Sequence, residues 1–199
     1  MTSPQLLTPS HYRRVPWKNG LGSTLELATN AAEPGGPWTW RLSLADVPTR
    51  APFSAFPGID RHLAVLDGAG MTLERAAEQI EVPREGRAFS FAGEDAIVGT
   101  PVGSGVRDAN LMLDRTKWTG ALEIQRVHEC RSIEVEADVV LVFAAQTSDF
   151  LRCATKEESC VLSADSTLLS PGLVHLDASH CTLVIARIDA RARPNVGNP

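Results

Sequence analysis

The chain has 199 residues, of which 43% are hydrophobic and 22% are charged, with a formal net charge of −5 at pH 7. This composition is ordinary for a soluble globular protein of one substantial domain or two fused lobes. The acidic balance without a long basic run argues against a nucleic-acid-binding face. No apolar run approaches the ~20 residues that span a bilayer, and the first residues lack a secretory signal pattern, so we expect a cytoplasmic protein without membrane contact.

The first pattern along the chain is RRVPWKNGLGSTLEL, residues 13–27, where Pro-Trp and Lys-Asn-Gly precede a strand-like segment. Asn-Gly is a common turn dipeptide, so one interpretation is a simple turn. The alternative is a ligand-binding loop, in which glycine allows close backbone approach and a cation and an aromatic ring contact the ligand. The residues that would then form the loop are Trp17, Lys18, Asn19 and Gly20. The stretch by itself leaves both interpretations open.

Two later stretches predict strands whose alternate residues face opposite sides. In WTWRLSLADV, residues 38–47, the tryptophans and leucines are expected on one face, and Arg41 and Ser43 on the other. In DANLMLDR, residues 108–115, Asp108, Asn110 and Met112 are expected to share a face. Each strand therefore presents one apolar face and one face with polar groups.

Short strand-like segments continue to the end of the chain, separated by turn residues such as Asp67-Gly68 and Pro171-Gly172. Many short strands with such turns predict an all-β sandwich or barrel. Strand-turn-strand patterns recur on both sides of a junction at residues 116–120. They predict two β lobes, residues 1–118 and 119–199, packed as one compact unit that can exchange strands between lobes.

Metal and nucleophile signatures are missing from the sequence. The five histidines are dispersed, with no His-x-His pair and only a loose group around His175, so we expect no bound metal and no cofactor. No Gly-x-Ser-x-Gly motif occurs, and no cysteine lies in an activating context, so no catalytic residue is assigned. The four cysteines show no framework spacing and are expected to be reduced.

Cations on predicted strands are the most informative feature. Arg41 lies on the polar face of an apolar strand, and Arg61 opens the strand RHLAVL. Guanidinium groups bind carboxylates bidentately, so these residues, with Lys18, would suit a small acid. Ser43, Ser54 and Asn110 would supply neutral hydrogen bonds. The alternative is structural pairing with nearby acids: Asp46 or Glu26 for Arg41, and Asp60 or Asp108 for Arg61.

Five segments in order resemble the HutD/Ves family: VPWKNGLGSTLEL, WTWRLSLADV, PFSAFPGIDRHLAVLDGAGMTL, FSFAGEDAIVG and VRDANLMLDR. The resemblance runs from about residue 15 to 115 and more weakly to 189. It implies a bicupin-like fold of two jelly-roll-type β-barrel lobes in a bacterial cytoplasmic protein. The resemblance favours the ligand-binding interpretation of Trp17, Lys18, Asn19 and Gly20, which are then expected at the mouth of a pocket. In this sequence Leu21 stands where the family usually has glycine, which would change how the backbone approaches a ligand.

The family resemblance also implies a function. One branch is tied to histidine utilisation, with a small acidic metabolite such as formylglutamate as the proposed ligand; the other is named for stress induction. We therefore expect a metal-free, regulatory binding protein whose partner is a small anionic metabolite, and a homodimer is compatible with this. Two alternatives stay open: a metal-free isomerase or hydrolase, or an oligomeric scaffold without a ligand.

Overall fold

The computed structural model describes residues 3–17, 22–84 and 87–192, without the side chains of 148 and 149. Within these ranges there is no α-helix, and so none that could cross a membrane. The strands are β1 (Gln5–Leu7), β2 (Arg13–Pro16), β3 (Ser23–Thr29), β4 (Trp40–Val47), β5 (Ala51–Pro52), β6 (Ile59–Asp67), β7 (Gly70–Arg75), β8 (Glu78–Pro83), β9 (Phe89–Ala92), β10 (Ile97–Pro101), β11 (Val106–Asp114), β12 (Trp118–Val127), β13 (Arg131–Ala154), β14 (Ser159–Val161) and β15 (Thr167–Ala190). One 3-10 turn, Pro9–His11, lies between β1 and β2. The all-β prediction is confirmed.

The strands form three sheets, and every pairing between them is antiparallel. A six-stranded sheet has the order β2-β3-β4-β11-β6-β9, and a four-stranded sheet has the order β5-β10-β7-β8. A five-stranded sheet contains β1-β15-β13-β14, with β12 also paired to β15. The early strand β1 therefore joins a sheet that is otherwise built from the second half of the chain.

The six-stranded sheet separates two environments, because side chains alternate along each strand. On β4, Trp40, Leu42 and Leu44 belong to an apolar core that also contains residues of β13 and β15. Leu111 of β11 lies in the same core. The opposite face of these strands turns toward the four-stranded sheet. The sequence pattern therefore predicted which face of β4 and β11 is apolar.

The five-stranded sheet encloses a core of its own. Its long strands β13 and β15 pair at more than one stretch: Val140 lies opposite both Ser170 and Arg187. The sheet consequently folds back on itself around a cluster of sixteen buried residues, all valine, leucine, isoleucine, alanine or cysteine. Leu176 and Leu183 in this cluster are completely buried. This interior is filled with apolar side chains.

The space between the six- and four-stranded sheets is only partly filled by an apolar cluster, which includes Val47, Leu63 and Met71. The polar faces of β4, β11 and the start of β6 line the rest. The candidate site lies here.

Candidate functional site

A cavity of about 500 Å³ opens between these two sheets. It contains six of the nine residues that the sequence pointed to, namely Trp17, Arg41, Ser43, Ser54, Arg61 and Asn110. The other lining residues are Val15, Pro16, Thr24, Ala45, Val47, Pro52, Phe53, Ala55, Phe56, Asp108 and Met112. Lys18, Asn19 and Gly20, the other three, lie outside the described residues.

The strand register explains why the two arginines converge. Met112 of β11 lies opposite Arg41 of β4 on one side and opposite Arg61 of β6 on the other. All three therefore stand in one row across the sheet, with the Cα atoms of the arginines about 10 Å apart. Residues in one row point to the same face, so both guanidinium groups enter the cavity.

Arg61 is the more deeply buried of the two and is 7% exposed. Its Nε donates to Oδ1 of Asn110 at 3.5 Å and its Nη1 donates to the carbonyl of Ser54 at 3.4 Å. Both acceptors are neutral and both bonds are long. Burial lowers the Arg61 pKa to about 10, an effect that the charge of Asp108 opposes. Arg61 therefore remains a cation at neutral pH with only weak partners.

Arg41 is held by soft contacts instead of a carboxylate. Its Nη2 donates to the Met112 Sδ at 2.9 Å, and its Nε is buried without a hydrogen-bond partner. The guanidinium carbon lies 4.9 Å from the ring centroid of Trp38. Burial lowers the pKa of Arg41, and Glu26 partly opposes this. The group is thus oriented by aromatic and sulfur contacts, which leave hydrogen-bonding capacity unused.

Phe56 lies between the two cations. Its ring centroid is 5.6 Å from the Arg41 guanidinium carbon and 5.8 Å from that of Arg61. Phe53 and Phe91 also contact Arg61, at 5.2 and 4.9 Å. The segment after β5 therefore folds over the arginines, and its aromatic rings fix both guanidinium planes.

Three of the four acids proposed as structural partners, Asp46, Glu26 and Asp60, pair with other arginines among the described residues. Asp46 pairs with Arg14 and Arg107, and Glu26 pairs with Arg13 at 3.3 Å. Asp60, the possible partner of Arg61, instead binds Arg115 and Arg191. No described carboxylate lies within 4.0 Å of the nitrogen atoms of Arg41 or Arg61. Neither arginine therefore forms a direct ion pair with a described acid, although the charges of Glu26 and Asp108 act on Arg41 and Arg61 from farther away.

Among the described residues that line the cavity, Asp108 alone has a carboxyl group, and it is 2% exposed. Its Oδ1 has no hydrogen-bond partner. Burial raises the pKa of Asp108 to about 7, although Arg61 opposes that rise. Asp108 lies two positions along β11 from Asn110, on the same face. The cavity thus holds two cations and an acid that titrates near neutral pH.

Trp17 forms one edge of the cavity. Its Nε1 donates to the Thr24 hydroxyl at 2.9 Å, and its backbone N–H donates to the carbonyl of Gly22 at 2.9 Å. A Cβ on Gly22 would lie 2.9 Å from the Trp17 ring and 2.7 Å from the Asp46 carbonyl, so glycine allows the ring to pack there. The pairing of β2 with β3 therefore brings Trp17 to the edge of the cavity.

One sequence prediction was wrong. Trp38 was expected to share the leucine face of its strand, but β4 begins at Trp40, and the Trp38 ring contacts Arg41 and Phe56. Side chains alternate between two faces only within the strand, and Trp38 precedes it. Trp38 thus belongs to the surroundings of Arg41.

Sequence reasoning also missed contributions to the cavity. Asp108 and Met112 were correctly predicted to share a face with Asn110, but they were not predicted to line a site. An acid at an inward-facing strand position was a signal that could have indicated one. Phe53 and Phe56 carried no such signal, because the path of the segment after β5 depends on tertiary packing.

Metal-binding and nucleophilic side chains are the other candidate chemistries of the sequence. Among the described residues, no group of three or more His, Cys, Asp or Glu residues is placed to hold a metal ion. His62 contacts the Ser90 hydroxyl at 2.7 Å, and His175 lies 3.2 Å from Glu134. All four cysteines are free thiols.

Comparison with known proteins assigns the family. The HutD family model matches residues 9–184. An uncharacterized 21.2 kDa protein from the hutC 3' region of Pseudomonas putida is 33% identical over 157 residues, covering 79% of this chain and 82% of that protein.

Two solved structures support the same assignment. A conserved protein of unknown function from Pseudomonas aeruginosa superimposes with a TM-score of 0.83 at 30% identity, covering 94% of this chain and all of that one. HutD from Pseudomonas fluorescens superimposes with a TM-score of 0.75 at 27% identity, covering 96% of this chain and all of that one. The cupin-like β-barrel fold and the resemblance seen in the sequence are both confirmed. The chain belongs to the HutD family.

Proposed function

We propose that the chain is a regulatory protein of histidine or amino-acid catabolism that binds a small carboxylate, such as formylglutamate, in this cavity. The observation that carries the proposal is a buried guanidinium, Arg61, and a partly buried one, Arg41, which face one cavity and have no ion-pair partner among the described carboxylates. Leaving a buried cation unpaired is costly, and a bound carboxylate would offset that cost. An anion is also favoured because the two cations outnumber the single acid of the lining.

The catabolic role is supported by names borne by relatives. A similar protein lies in the hutC 3' region in Pseudomonas putida, and a structurally similar protein is HutD from Pseudomonas fluorescens. The size of the cavity suits a small molecule, since ligand pockets usually measure about 300–1,000 Å³. A metabolite of a few carbon atoms with one or two carboxylates fits this volume and charge.

The test is a calorimetric titration of formylglutamate, glutamate and urocanate into the wild-type protein and Arg41→Lys. An ammonium group cannot reproduce the two-pronged contact of a guanidinium, so Arg41→Lys should weaken binding. Losing one charge-assisted hydrogen bond costs about 1.5–3 kcal/mol, or on the order of 10- to 100-fold in affinity. Arg50→Lys is the matched control, because Arg50 is exposed and binds Glu74 outside the cavity.

Two results would contradict the proposal: no binding of any of the three acids to wild type, or equal affinities of wild type and Arg41→Lys. Were Arg41 only structural, the substitution would lower the melting temperature and leave the affinity of the folded fraction unchanged.

A metal-free enzyme acting on the same class of acid is a second candidate, and Asp108 is the observation that favours it. A buried carboxyl group with a pKa of about 7 has the acidity of a general acid or base. Proton NMR of each acid incubated with the protein distinguishes the two functions. New product resonances that disappear with Asp108→Asn would indicate an enzyme, and unchanged spectra with saturable binding would indicate a binding protein.

A further inference from the structure

Arg61 and Asp108 are a cation and an acid that lie buried in the same cavity of the described structure but do not form an ion pair. They are 7% and 2% exposed, and none of their nitrogen–oxygen distances falls within 4.0 Å. Asn110 stands between them: Arg61 donates to its side chain, and Asp108 is two residues away on the same face of β11. The guanidinium of Arg61 and the carboxyl group of Asp108 therefore lie at different positions along the cavity wall, with Asn110 between them.

Buried charged groups in folded proteins are normally paired and hydrogen-bonded. Here the Oδ1 of Asp108 accepts no hydrogen bond, and Arg61 makes two long bonds to neutral oxygens. Among the described residues, Arg61 therefore has no anionic acceptor and the Oδ1 of Asp108 has no donor. One ligand that carries both would satisfy both.

The backbone beside Asp108 is irregular in a way common near binding sites. Arg107 lies opposite Asp67 of β6, but Asp108 lies opposite Val65, so β6 has one extra residue at this step. Such bulges interrupt regular pairing and change the direction of nearby side chains. The regular pairing of β6 with β11 is therefore interrupted next to Asp108.

We propose that Asp108 determines which carboxylates the cavity accepts, by requiring an N–H or O–H donor next to the carboxylate. In the complex, the ligand carboxylate contacts Arg61 and the donor contacts Asp108. This inference rests on the proposed function, because it specifies the ligand class of the same cavity. The class comprises N-acyl amino acids, amino acids and hydroxy acids, and it excludes plain carboxylates of the same size.

The discrimination has two physical sources. A donor-free carboxylate leaves the Asp108 oxygen without a partner after water has been displaced, which is the costly arrangement for a buried polar group. It also brings a second negative charge toward Asp108 without any compensating hydrogen bond. The expected preference for the donor-bearing ligand is on the order of 10- to 100-fold in affinity.

The test uses two probes that differ in a single group. N-acetylglycine and levulinate have the same heavy-atom skeleton, with N–H in the first replaced by CH₂ in the second. Their affinities are measured by calorimetry or ligand-observed NMR with wild type, Asp108→Asn and Asp108→Ala at pH 8.5, above the Asp108 pKa of about 7, where this group is ionised. The ratio of the two affinities is compared within each protein, so it does not depend on the folded fraction. Arg61→Met reports separately on the carboxylate contact.

Wild type should bind N-acetylglycine at least 10-fold more tightly than levulinate. In Asp108→Asn the ratio should fall several-fold, because the hydrogen bond loses its charge assistance and levulinate is no longer repelled. In Asp108→Ala the ratio should approach one. Arg61→Met should weaken both probes.

Arg61-dependent binding of both probes with the same ratio in wild type and in the Asp108 variants would overturn this inference alone. A wild-type protein that binds neither probe, nor any acid in the titration above, would overturn the proposed function together with it.

Discussion

Two of the interiors that the β-sheets enclose differ in character. The one inside the five-stranded sheet is filled by sixteen valine, leucine, isoleucine, alanine and cysteine residues. The one between the six- and four-stranded sheets keeps a cavity of about 500 Å³ with Arg41, Arg61 and Asp108 on its walls. Since the first interior needs no charged group, the charges of the second are not a requirement of this architecture. Their presence there supports the proposed binding role.

The largest effect is expected from introducing a charge into the filled interior. Leu176→Arg places an unpaired guanidinium at a completely buried position of β15, which costs several kcal/mol and should unfold the protein or lower its melting temperature by more than 10 °C. The control is Val161→Arg on β14 of the same sheet, where the side chain is 62% exposed and a change below about 2 °C is expected. If thermal denaturation showed equal, small changes in melting temperature for both variants, the interior of the five-stranded sheet would tolerate a charge and the proposed difference between the interiors would be wrong.

A smaller effect is expected from removing the acid of the cavity. Burial raises the Asp108 pKa from 3.8 to about 7 in the folded protein, so folding disfavours its ionised form. This group therefore supports folding below pH 3.8 and loses that contribution progressively as the pH rises to about 7. The difference between the two pKa values lowers the free energy of unfolding by about 4 kcal/mol above neutral pH.

Asp108→Asn has no such charge, so it should melt several degrees above wild type at pH 8. The advantage should shrink steadily toward pH 5. The measurement is the melting temperature of both proteins from pH 5 to 9. A difference between them that stays constant over this range would contradict the raised pKa of Asp108.

The smallest effect concerns the aromatic contacts of the arginines. Phe56→Leu removes the ring shared by both guanidinium groups, and a cation–π contact contributes about 0.5–2 kcal/mol. Carboxylate affinity should fall roughly 3- to 30-fold. Phe89→Leu is the control, because Phe89 packs near the same interior but does not line the cavity. Calorimetric affinities that change equally in both variants would show that Phe56 does not orient the arginines.

The features of the site that depend only on strand alternation could be predicted from the sequence. The period of two in 38–47 and 108–115 placed Arg41, Ser43 and Asn110 opposite the leucines. It also gave the all-β class. Alternation is a local property of extended backbone, so it needs no knowledge of the fold.

Other parts of the site depend on tertiary structure that the local pattern does not contain. The convergence of Arg41 and Arg61 requires the pairing of β4 and β6 with β11, which joins residues distant in sequence. Phe56 reaches both arginines only because the chain after β5 folds over the cavity. The unpaired state of Asp108 likewise emerges only when its neighbours are known.

The central claim, that the two arginines hold a carboxylate in this cavity, is tested most directly by a crystal structure with formylglutamate bound. We expect density for the ligand between β4, β6 and β11, with a carboxylate oxygen within hydrogen-bonding distance of the Arg61 guanidinium and a second contact to Arg41. At a ligand concentration that saturates the protein in solution, an empty cavity, or density for the ligand elsewhere on the molecule, would contradict the claim.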